Sequence, residues 1–417
     1  MLLRYRLPFA LLAAALVAAC DDPVSAGGAA DAAAYLTVVI GDGQSGGRSS
    51  PLPQNVLVLV TDSVGLGVPG VTVRFLVTSG GGSVVPAEAV SDSNGLAETT
   101  WTLGSSLGTQ TMSARVARSD GPLLVSVTAT ALELTRVTVT GAPYGLSVNA
   151  NGLIYATQLV AGTVAVATVT GKRVTATIPV GAAPTGVTFN PAGSEAYVTN
   201  QYSGSVSVIS AASNTVVATI PVPYDPFVVG FSTTGADAFV ATNVGMVYRI
   251  NTATRAVTDS VFTGSGSNGL AASPNGSQLY VSAFDAGAVY EVALATFTIA
   301  RTFTTGGAPQ GMAVAADGSE LYVANETGNL EVWNIAAGTR TTSVTIGPRP
   351  FGLALSPDGT KLYVSQGTGG TVTVIERQTR GVVDLIETSG DPRRLGLSTD
   401  GQTLVIANQY GWIDFVP

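Results

Sequence analysis

The sequence predicts an all-β protein, in which a β-sandwich is followed by a seven-bladed β-propeller that an N-terminal strand closes. Three observations support this prediction. The tetrapeptide Tyr197-Val198-Thr199-Asn200 is one of seven related phrases that follow one another at steps of 41 or 42 residues. Turn glycines recur with the same period, and a run of short strand patterns precedes the repeats. A fixed period of this length is typical of repeat architectures such as propellers.

The composition agrees with short strands joined by tight turns. Of the 417 residues, 50 are glycine, and only 11% are charged. The net charge of −8 provides no electrostatic footprint for nucleic acid, so we expect no nucleic-acid partner. The chain has no histidine, which removes the commonest general base and the commonest neutral metal ligand. Its single cysteine excludes an internal disulfide bond.

Residues 1–20 have the pattern of a secretory signal peptide. The apolar run from Leu7 to Ala19 is too short to cross the ~30 Å of bilayer hydrocarbon as a helix. The segment Leu16-Val17-Ala18-Ala19-Cys20 resembles the bacterial lipobox, and this resemblance implies that Cys20 carries a lipid. An ordinary cleaved signal is the alternative. A lipid would anchor the protein in the bacterial cell envelope, on the periplasmic or the cell-surface side. Residues 21–34 are predicted to be a flexible linker.

Residues 35–132 are predicted to form the sandwich. Strand patterns such as Val71-Thr72-Val73-Arg74-Phe75 alternate with turns rich in glycine, and about seven short strands suit an immunoglobulin-like fold. The phrases Gly41-Asp42-Gly43-Gln44, Trp101-Thr102-Leu103-Gly104 and Thr128-Ala129-Thr130-Ala131 resemble the bacterial Ig-like domain of invasins and intimins. The resemblance implies a rigid spacer that holds a binding tip away from the membrane.

Residues 133–417 carry the repeat. The unit from Pro184 to Val222 contains four strand patterns separated by turns, which is the content of one propeller blade. One glycine marks the same hairpin turn in every repeat: Gly152, Gly193, Gly235, Gly276, Gly318, Gly359 and Gly401. The repeat resembles the YVTN family of seven-bladed propellers, known from surface-layer and periplasmic proteins. That resemblance is specific for the fold, whereas propellers host many activities.

The ends of the repeat region predict how the ring closes. The last repeat stops after its third strand, which begins at Trp412, whereas the segment from Leu134 to Thr140 reads as a lone fourth strand before the first repeat. The N-terminal strand is therefore expected to complete blade seven, which removes open sheet edges. The sandwich would then lie next to the first and last blades.

One face of the ring is expected to carry the function, because its loops differ between repeats. Within the repeated phrase, Tyr197 and Val198 are expected to pack between blades, and Asn200 to begin a variable loop. Arg349, Arg393 and Arg394 are interpreted as a group that captures a carboxylate or another anion. The alternative is that they are solvated arginines paired with Asp391 or Asp225. The candidate residues of the ligand-binding face are Tyr144, Asn200, Tyr202, Tyr224, Asp225, Phe227, Asn243, Phe284, Asp285, Asn325, Glu326, Arg349, Phe351, Arg393, Arg394 and Tyr410.

These observations predict a cell-envelope lipoprotein that acts as a binding, scaffold or adhesion-type module, whose propeller face recognises a protein or a glycan. We expect a monomer without cofactor, metal or catalytic residues. The alternative is a propeller enzyme of lactonase or lyase type, with a metal at the pore mouth near Asp225, Asp285 and Glu326. A purely structural envelope protein is the third possibility.

Overall fold

The computed structural model describes residues 29–417, and almost every regular element in this range is a β-strand. One helix of four residues, Ala29–Ala32, precedes the strands. No helix in the described range is long and apolar enough to span a membrane. The predicted signal segment with Cys20, and most of the predicted linker, lie outside the described residues.

The first nine strands belong to the region predicted as a sandwich. They are β1 (Tyr35–Ile40), β2 (Gln44–Gly47), β3 (Val56–Thr61), β4 (Thr72–Ser79), β5 (Gly82–Val85), β6 (Glu88–Val90), β7 (Leu96–Leu103), β8 (Gly108–Val116) and β9 (Leu123–Leu132).

The remaining strands belong to the repeat region. They are β10 (Thr135–Thr138), β11 (Pro143–Val148), β12 (Leu153–Gln158), β13 (Thr163–Thr168), β14 (Val174–Pro179), β15 (Pro184–Phe189), β16 (Glu195–Asn200), β17 (Ser205–Ser210), β18 (Thr215–Pro221), β19 (Pro226–Phe231), β20 (Asp237–Thr242), β21 (Met246–Asn251), β22 (Ala256–Phe262), β23 (Gly269–Ala272), β24 (Gln278–Ala283), β25 (Ala288–Ala293), β26 (Thr298–Thr304), β27 (Pro309–Val314), β28 (Glu320–Asn325), β29 (Asn329–Asn334), β30 (Thr339–Thr345), β31 (Pro350–Leu355), β32 (Lys361–Gln366), β33 (Thr371–Glu376), β34 (Val382–Glu387), β35 (Pro392–Leu397), β36 (Leu404–Asn408) and β37 (Trp412–Val416).

Two sheets enclose one apolar core in residues 35–132. The first sheet has the strand order β1-β3-β7-β5, and the second contains β2-β9-β8-β4-β6. Side chains alternate between core and solvent, as strand geometry requires, so that Val56, Val58 and Val60 of β3 are all fully buried. Trp101 lies in the same core. The predicted sandwich is present, and its relation to bacterial Ig-like domains stays a prediction.

Seven four-stranded antiparallel blades form the propeller. Blades one to six follow the chain in order, from β11-β12-β13-β14 to β31-β32-β33-β34. Apolar cores lie between neighbouring blades: Tyr155 packs against Phe189 of the next blade at 4.7 Å between ring centres, and Tyr197 packs against Phe231 at 5.0 Å. The repeated tyrosine of the tetrapeptide is therefore a packing residue between blades, as the sequence predicts.

The two ends of the repeat region meet in blade seven, whose strand order is β10-β37-β36-β35. The predicted closing strand is therefore confirmed. Arg136 on β10 donates two hydrogen bonds to the buried Asp414 carboxylate on β37, at 2.8 and 3.2 Å. Its guanidinium carbon lies 4.2 Å from the centre of the Trp412 ring, and Trp412 Nε1 donates to Asp414 at 2.9 Å. A charge pair thus holds the closing strand in place.

The sandwich joins the propeller through a shared sheet. Strand β2 lies between β9 of the sandwich and β34 of blade six, and it runs parallel to both, which makes one nine-stranded sheet. Ser45 Oγ donates a hydrogen bond to Asp384 Oδ2 at 2.6 Å across this junction. Leu132 and Leu134 pack against the core between blades six and seven.

The sequence predicted that the sandwich lies beside blades one and seven. This prediction is wrong in part, because the sandwich lies beside blades six and seven. The physical reason lies in the short connection between the two units. Only Glu133 and Leu134 separate β9 from β10, so the sandwich must remain beside the outer edge of blade seven. Strand β34 offers a free edge there, and an open sheet edge pairs readily with another strand.

We expect Arg136→Ala to lower the free energy of unfolding by about 3 kcal/mol, because the buried Asp414 carboxylate would lose its cation. Urea unfolding of the purified protein measures the loss. Arg115→Ala is the matched control, since Arg115 is exposed and forms no ion pair within the described residues. The control should change stability by less than about 0.5 kcal/mol. Equal losses in the two variants would show that the charge pair does not hold the ring closed.

Burial raises the pKa of Asp384 above its ordinary value of 3.8, while the hydrogen bond from Ser45 acts in the opposite direction. The folded protein therefore binds this proton more tightly than the unfolded chain does, and protonation of Asp384 stabilises the folded state relative to the unfolded state. This stabilisation is fully present at a pH below the ordinary pKa and is lost as the pH rises through the raised pKa.

Asp384→Asn keeps an acceptor for Ser45 and cannot ionise. The variant should therefore be more stable than the wild type at neutral pH, and this advantage should shrink as the solution is acidified. Melting temperatures recorded between about pH 4 and 8 test this expectation. A variant that melts below the wild type at neutral pH would contradict it.

Candidate functional site

Every blade presents two kinds of loop on the same face of the ring. In blade two, Pro184, Asn200, Ser205 and Pro221 lie side by side across the four strands. The loop between the second and third strands and the connections to the neighbouring blades therefore meet at one edge. We call this side of the ring the upper face, and the predicted site residues lie on it or just inside it.

The asparagine of the repeated phrase does not contact solvent. Asn200 is fully buried, its Oδ1 accepts from the Gly181 backbone N–H at 3.0 Å, and its Nδ2 donates to Ser207 Oγ at 2.9 Å. Asn325 and Asn408 are also buried, and each accepts a hydrogen bond at 3.0 Å from the loop that enters its own blade.

Asn200 and Asn325 therefore hold loops in place, which corrects their assignment to the ligand-binding face. Their recurrence at equivalent positions was the sequence signal for this structural role, because a residue repeated in several blades occupies a repeated structural environment. Asn243 and Phe284 are half-buried, and their backbone groups bond to Gly266 between blades three and four.

One position of the inner strands lines the pore in all seven blades. The residues at this position, which we call the central ring, are Tyr144, Thr185, Phe227, Asn268, Gln310, Phe351 and Arg393. Three of them are aromatic and meet across the pore. Tyr144 of blade one lies 5.8 Å from Phe227 of blade three and 5.6 Å from Phe351 of blade six, with nearly perpendicular rings. Burial raises the pKa of Tyr144.

The three candidate arginines occupy different environments. Arg393 donates to Asp391 and to Gln409, each at 2.8 Å, so its charge is balanced as the sequence-based alternative supposed. Arg349 is exposed on the upper face, and its Nε lies 3.9 Å from Glu326 Oε2. Arg394 points into the pore, where its guanidinium carbon lies 5.0 Å from the centre of the Phe351 ring. The structure therefore divides the predicted arginine group.

Exposed apolar side chains lie on the upper face of four of the seven blades. At one position of the loops between second and third strands, blades seven, one, two and three carry Tyr410, Val160, Tyr202 and Val244, which are 42% to 80% exposed. Blades four, five and six carry polar residues there. Tyr224 is 64% exposed in the connection between blades two and three. We call these five residues the apolar arc.

Sequence reasoning identified the three tyrosines of the arc and missed its two valines. Comparison of the seven loops position by position would have found them, because Val160 and Val244 replace the polar residues Asp285, Thr327 and Thr368 of the other blades. The apolar character is therefore a property of consecutive blades and not of isolated residues.

The connection that carries Tyr224 is strained. Tyr224 and Asp225 both have left-handed backbones, with φ of 66° and 53°. At the position of Tyr224, two residues before the proline that begins a blade, Gly141, Gly307 and Gly390 have the same left-handed backbone, with φ of 86°, 56° and 63°. A left-handed backbone costs a residue with a side chain roughly 1–2 kcal/mol. A left-handed residue also stands directly before the first-strand proline in blades one, two and six, so the conformation belongs to the repeated connection, and Tyr224 differs in carrying an exposed ring there.

The three carboxylates named for a metal site do not come together. Glu326 Oε1 accepts a hydrogen bond from Gln310 Nε2 at 2.8 Å. Asp225 and Asp285 are exposed in the connection between blades two and three and in a loop of blade four. Within residues 29–417, no group of three histidine, cysteine, aspartate or glutamate side chains is arranged to hold a metal ion.

Comparisons with known proteins agree with this architecture. A solved structure titled Kuenenia stuttgartiensis Hydrazine Synthase matches 67% of this chain and 96% of its own, with a TM-score of 0.61 and 18% identity, which shows similarity of fold alone. No curated protein sequence matches the chain. A family model of the YNCE-like β-propeller matches residues 118–416, a range that contains all seven blades and the closing strand. The chain therefore belongs to the YNCE-like β-propeller family.

Proposed function

We propose that this propeller is a non-catalytic binding module of the bacterial cell envelope, and that the apolar arc contacts a partner protein. The arc carries the proposal, because it places five exposed apolar side chains on consecutive blades of one face, and concentrations of exposed apolar side chains mark interaction sites. Tyrosine is enriched in protein interfaces, where its ring supplies contact area and its hydroxyl supplies a directional hydrogen bond.

A protein partner fits the arc better than a glycan does. The rings of Tyr202, Tyr224 and Tyr410 would suit either kind of partner. Val160 lies on the blade between those of Tyr410 and Tyr202, and Val244 lies on the blade after that of Tyr202. The aliphatic side chains of these two valines match the apolar centre of a protein interface. A glycan remains an outcome that the binding experiment below can reveal.

The proposed location and architecture follow from the N-terminal part of the chain. The lipobox-like segment ending at Cys20 supports a lipid anchor, with the sandwich as a short spacer of the bacterial Ig-like kind between membrane and propeller. The shared sheet between β2 and β34 supports this role, because backbone pairing limits rotation of the propeller relative to its spacer. We propose that the protein acts as a monomer in this arrangement.

An enzyme of lactonase or lyase type is the second candidate from the sequence. Enzymes of this type were expected to hold a metal through carboxylates at the pore mouth. The separation of Asp225, Asp285 and Glu326 does not favour that arrangement within the described residues. Metal content of the purified protein tests the distinction, since a stoichiometric divalent cation would overturn the proposed non-catalytic function.

The binding test uses the full chain and an arc variant that carries Tyr202→Ser, Tyr224→Ser and Tyr410→Ser. Proteins captured from envelope extract are quantified by mass spectrometry, and the interaction with the main captured protein is then measured by calorimetry. We expect the arc variant to bind at least about tenfold more weakly, because exposed aromatic anchors dominate interface energies.

The matched control changes the equivalent polar positions, with Asp285→Ala, Thr327→Ala and Thr368→Ala. This control should bind as the wild type does. Equal binding by the wild type and the arc variant would refute the arc as the contact surface. Binding of glycans on an array, lost only in the arc variant, would replace the protein partner by a glycan.

Tyr224→Gly separates strain from recognition. Glycine adopts a left-handed backbone without a steric penalty, so the variant should be as stable as the wild type or up to about 1 kcal/mol more stable. The same change removes an exposed ring from the arc and should weaken partner binding. Urea unfolding and calorimetry measure the two effects. A large loss of stability would show that Tyr224 is a structural residue.

A further inference from the structure

Arg394 occupies a position that is glycine in most blades. The equivalent residues are Gly145, Gly186, Val228, Gly269, Gly311 and Gly352. In blade seven the long side chain of Arg394 runs across the pore. Its Nη2 donates a hydrogen bond to the backbone carbonyl of Asn268 in blade four, and its guanidinium group faces the Phe351 ring of blade six. This is the only hydrogen bond that the Arg394 side chain makes within the described residues.

The charge of Arg394 has no counter-charge among residues 29–417. Of the fifteen arginines in that range, twelve form ion pairs with carboxylates. Two of the others, Arg115 and Arg173, are exposed and therefore solvated. Arg394 is the third, and protein surrounds its guanidinium group although part of the side chain borders the lumen. Burial lowers the pKa of Arg394, Tyr144 acts in the opposite direction, and the neighbouring positive charge of Arg393 lowers the pKa further.

The Asn268 amide lies beside Arg394 and has a free donor. Its backbone carbonyl accepts from Arg394 Nη2, and its side-chain Nδ2 donates no hydrogen bond within the described residues. Its buried Oδ1 and the buried Oε1 of Gln310 also lack partners, but both are acceptors, and Gln310 Nε2 donates to Glu326 Oε1 at 2.8 Å. Buried polar groups are normally hydrogen-bonded, so an arginine without a counter-charge beside an unpaired amide donor indicates a site for a bound acceptor.

We propose that the pore binds one small monovalent anion, either a halide or the carboxylate of a small acid, between the Arg394 guanidinium group and the Asn268 amide. An anion would supply the counter-charge that a buried arginine requires, and it would accept charge-assisted hydrogen bonds from both groups. The contacts of Tyr144 with Phe227 and Phe351 narrow the pore, which favours a small ligand. This site is separate from the apolar arc and does not depend on the proposed partner.

The first experiment measures anion binding by the full chain. The protein is kept in a buffer whose anions are bulky sulfonates, and sodium bromide or sodium formate is titrated against the sulfonate salt at equal ionic strength. We expect a saturable rise in melting temperature of at least about 3 °C with one of the two anions. The anion that gives the larger rise identifies a halide or a carboxylate site. The absence of a saturable rise with both anions would overturn the proposal.

Crystals soaked in bromide locate the site independently of stability. If the halide produces the larger rise, an anomalous peak should appear within about 3.5 Å of the Arg394 guanidinium nitrogens. If formate does, its density should appear there. An ion bound elsewhere with that position empty would also overturn the proposal.

Variants then test the assigned residues. Arg394→Gln should lose the anion-dependent rise and should melt no lower than the wild type in sulfonate buffer, because it removes an uncompensated charge. Arg115→Gln, the exposed control, should keep the rise.

Asn268→Asp would place a carboxylate beside Arg394, so it should raise the melting temperature in sulfonate buffer and abolish the anion effect. It also keeps the proposal testable if Arg394→Gln fails to fold. A full anion response in either pore variant would refute the site.

Discussion

The close approach of the inner strands of neighbouring blades is the constraint on which the ring depends. A Cβ atom on Gly145 would lie 2.2 Å from the Thr185 carbonyl oxygen of the next blade, and one on Gly352 would lie 2.3 Å from the Arg393 carbonyl oxygen. Real side chains do not approach a backbone so closely, so a substituent at either position would push the blades apart. Strand β10 can complete blade seven only when the spacing between blades is maintained around the whole ring.

The same constraint explains which parts of the molecule the sequence predicts. Positions that pack between blades meet the same environment seven times, so Tyr197 and its counterparts recur and reveal the blades, their number and the closing strand. Asn200 is buried for the same reason, because asparagine recurs at this position in blades two, five and seven and meets a repeated environment there. Contacts across the pore are made once. Tyr144 of blade one contacts Phe351 of blade six because the blades are arranged in a closed ring, and no local sequence pattern predicts that contact.

Arg394 shows how one departure from the repeat changes the chemistry of the pore. Where five of the other six blades have glycine, blade seven directs a long cation into the lumen. The guanidinium carbons of Arg394 and of the paired Arg393 lie 5.0 and 4.8 Å from the centre of the same Phe351 ring. Asp391 balances only one of these two charges. The departure is visible in the sequence when the blades are aligned, whereas the division of the predicted arginine group depends on the side-chain positions.

The position of the sandwich bears on how a partner can reach the upper face. Pairing between β2 and β34 fixes the sandwich at the outer edge of blade six, with further contacts toward blade seven. The apolar arc runs over blades seven, one, two and three, so most of it lies on blades that the sandwich does not touch. A spacer attached to blade one, as the sequence suggested, would have stood beside the middle of the arc. The observed junction therefore holds the propeller mainly at blade six, where the upper face is polar, and leaves most of the apolar arc uncovered.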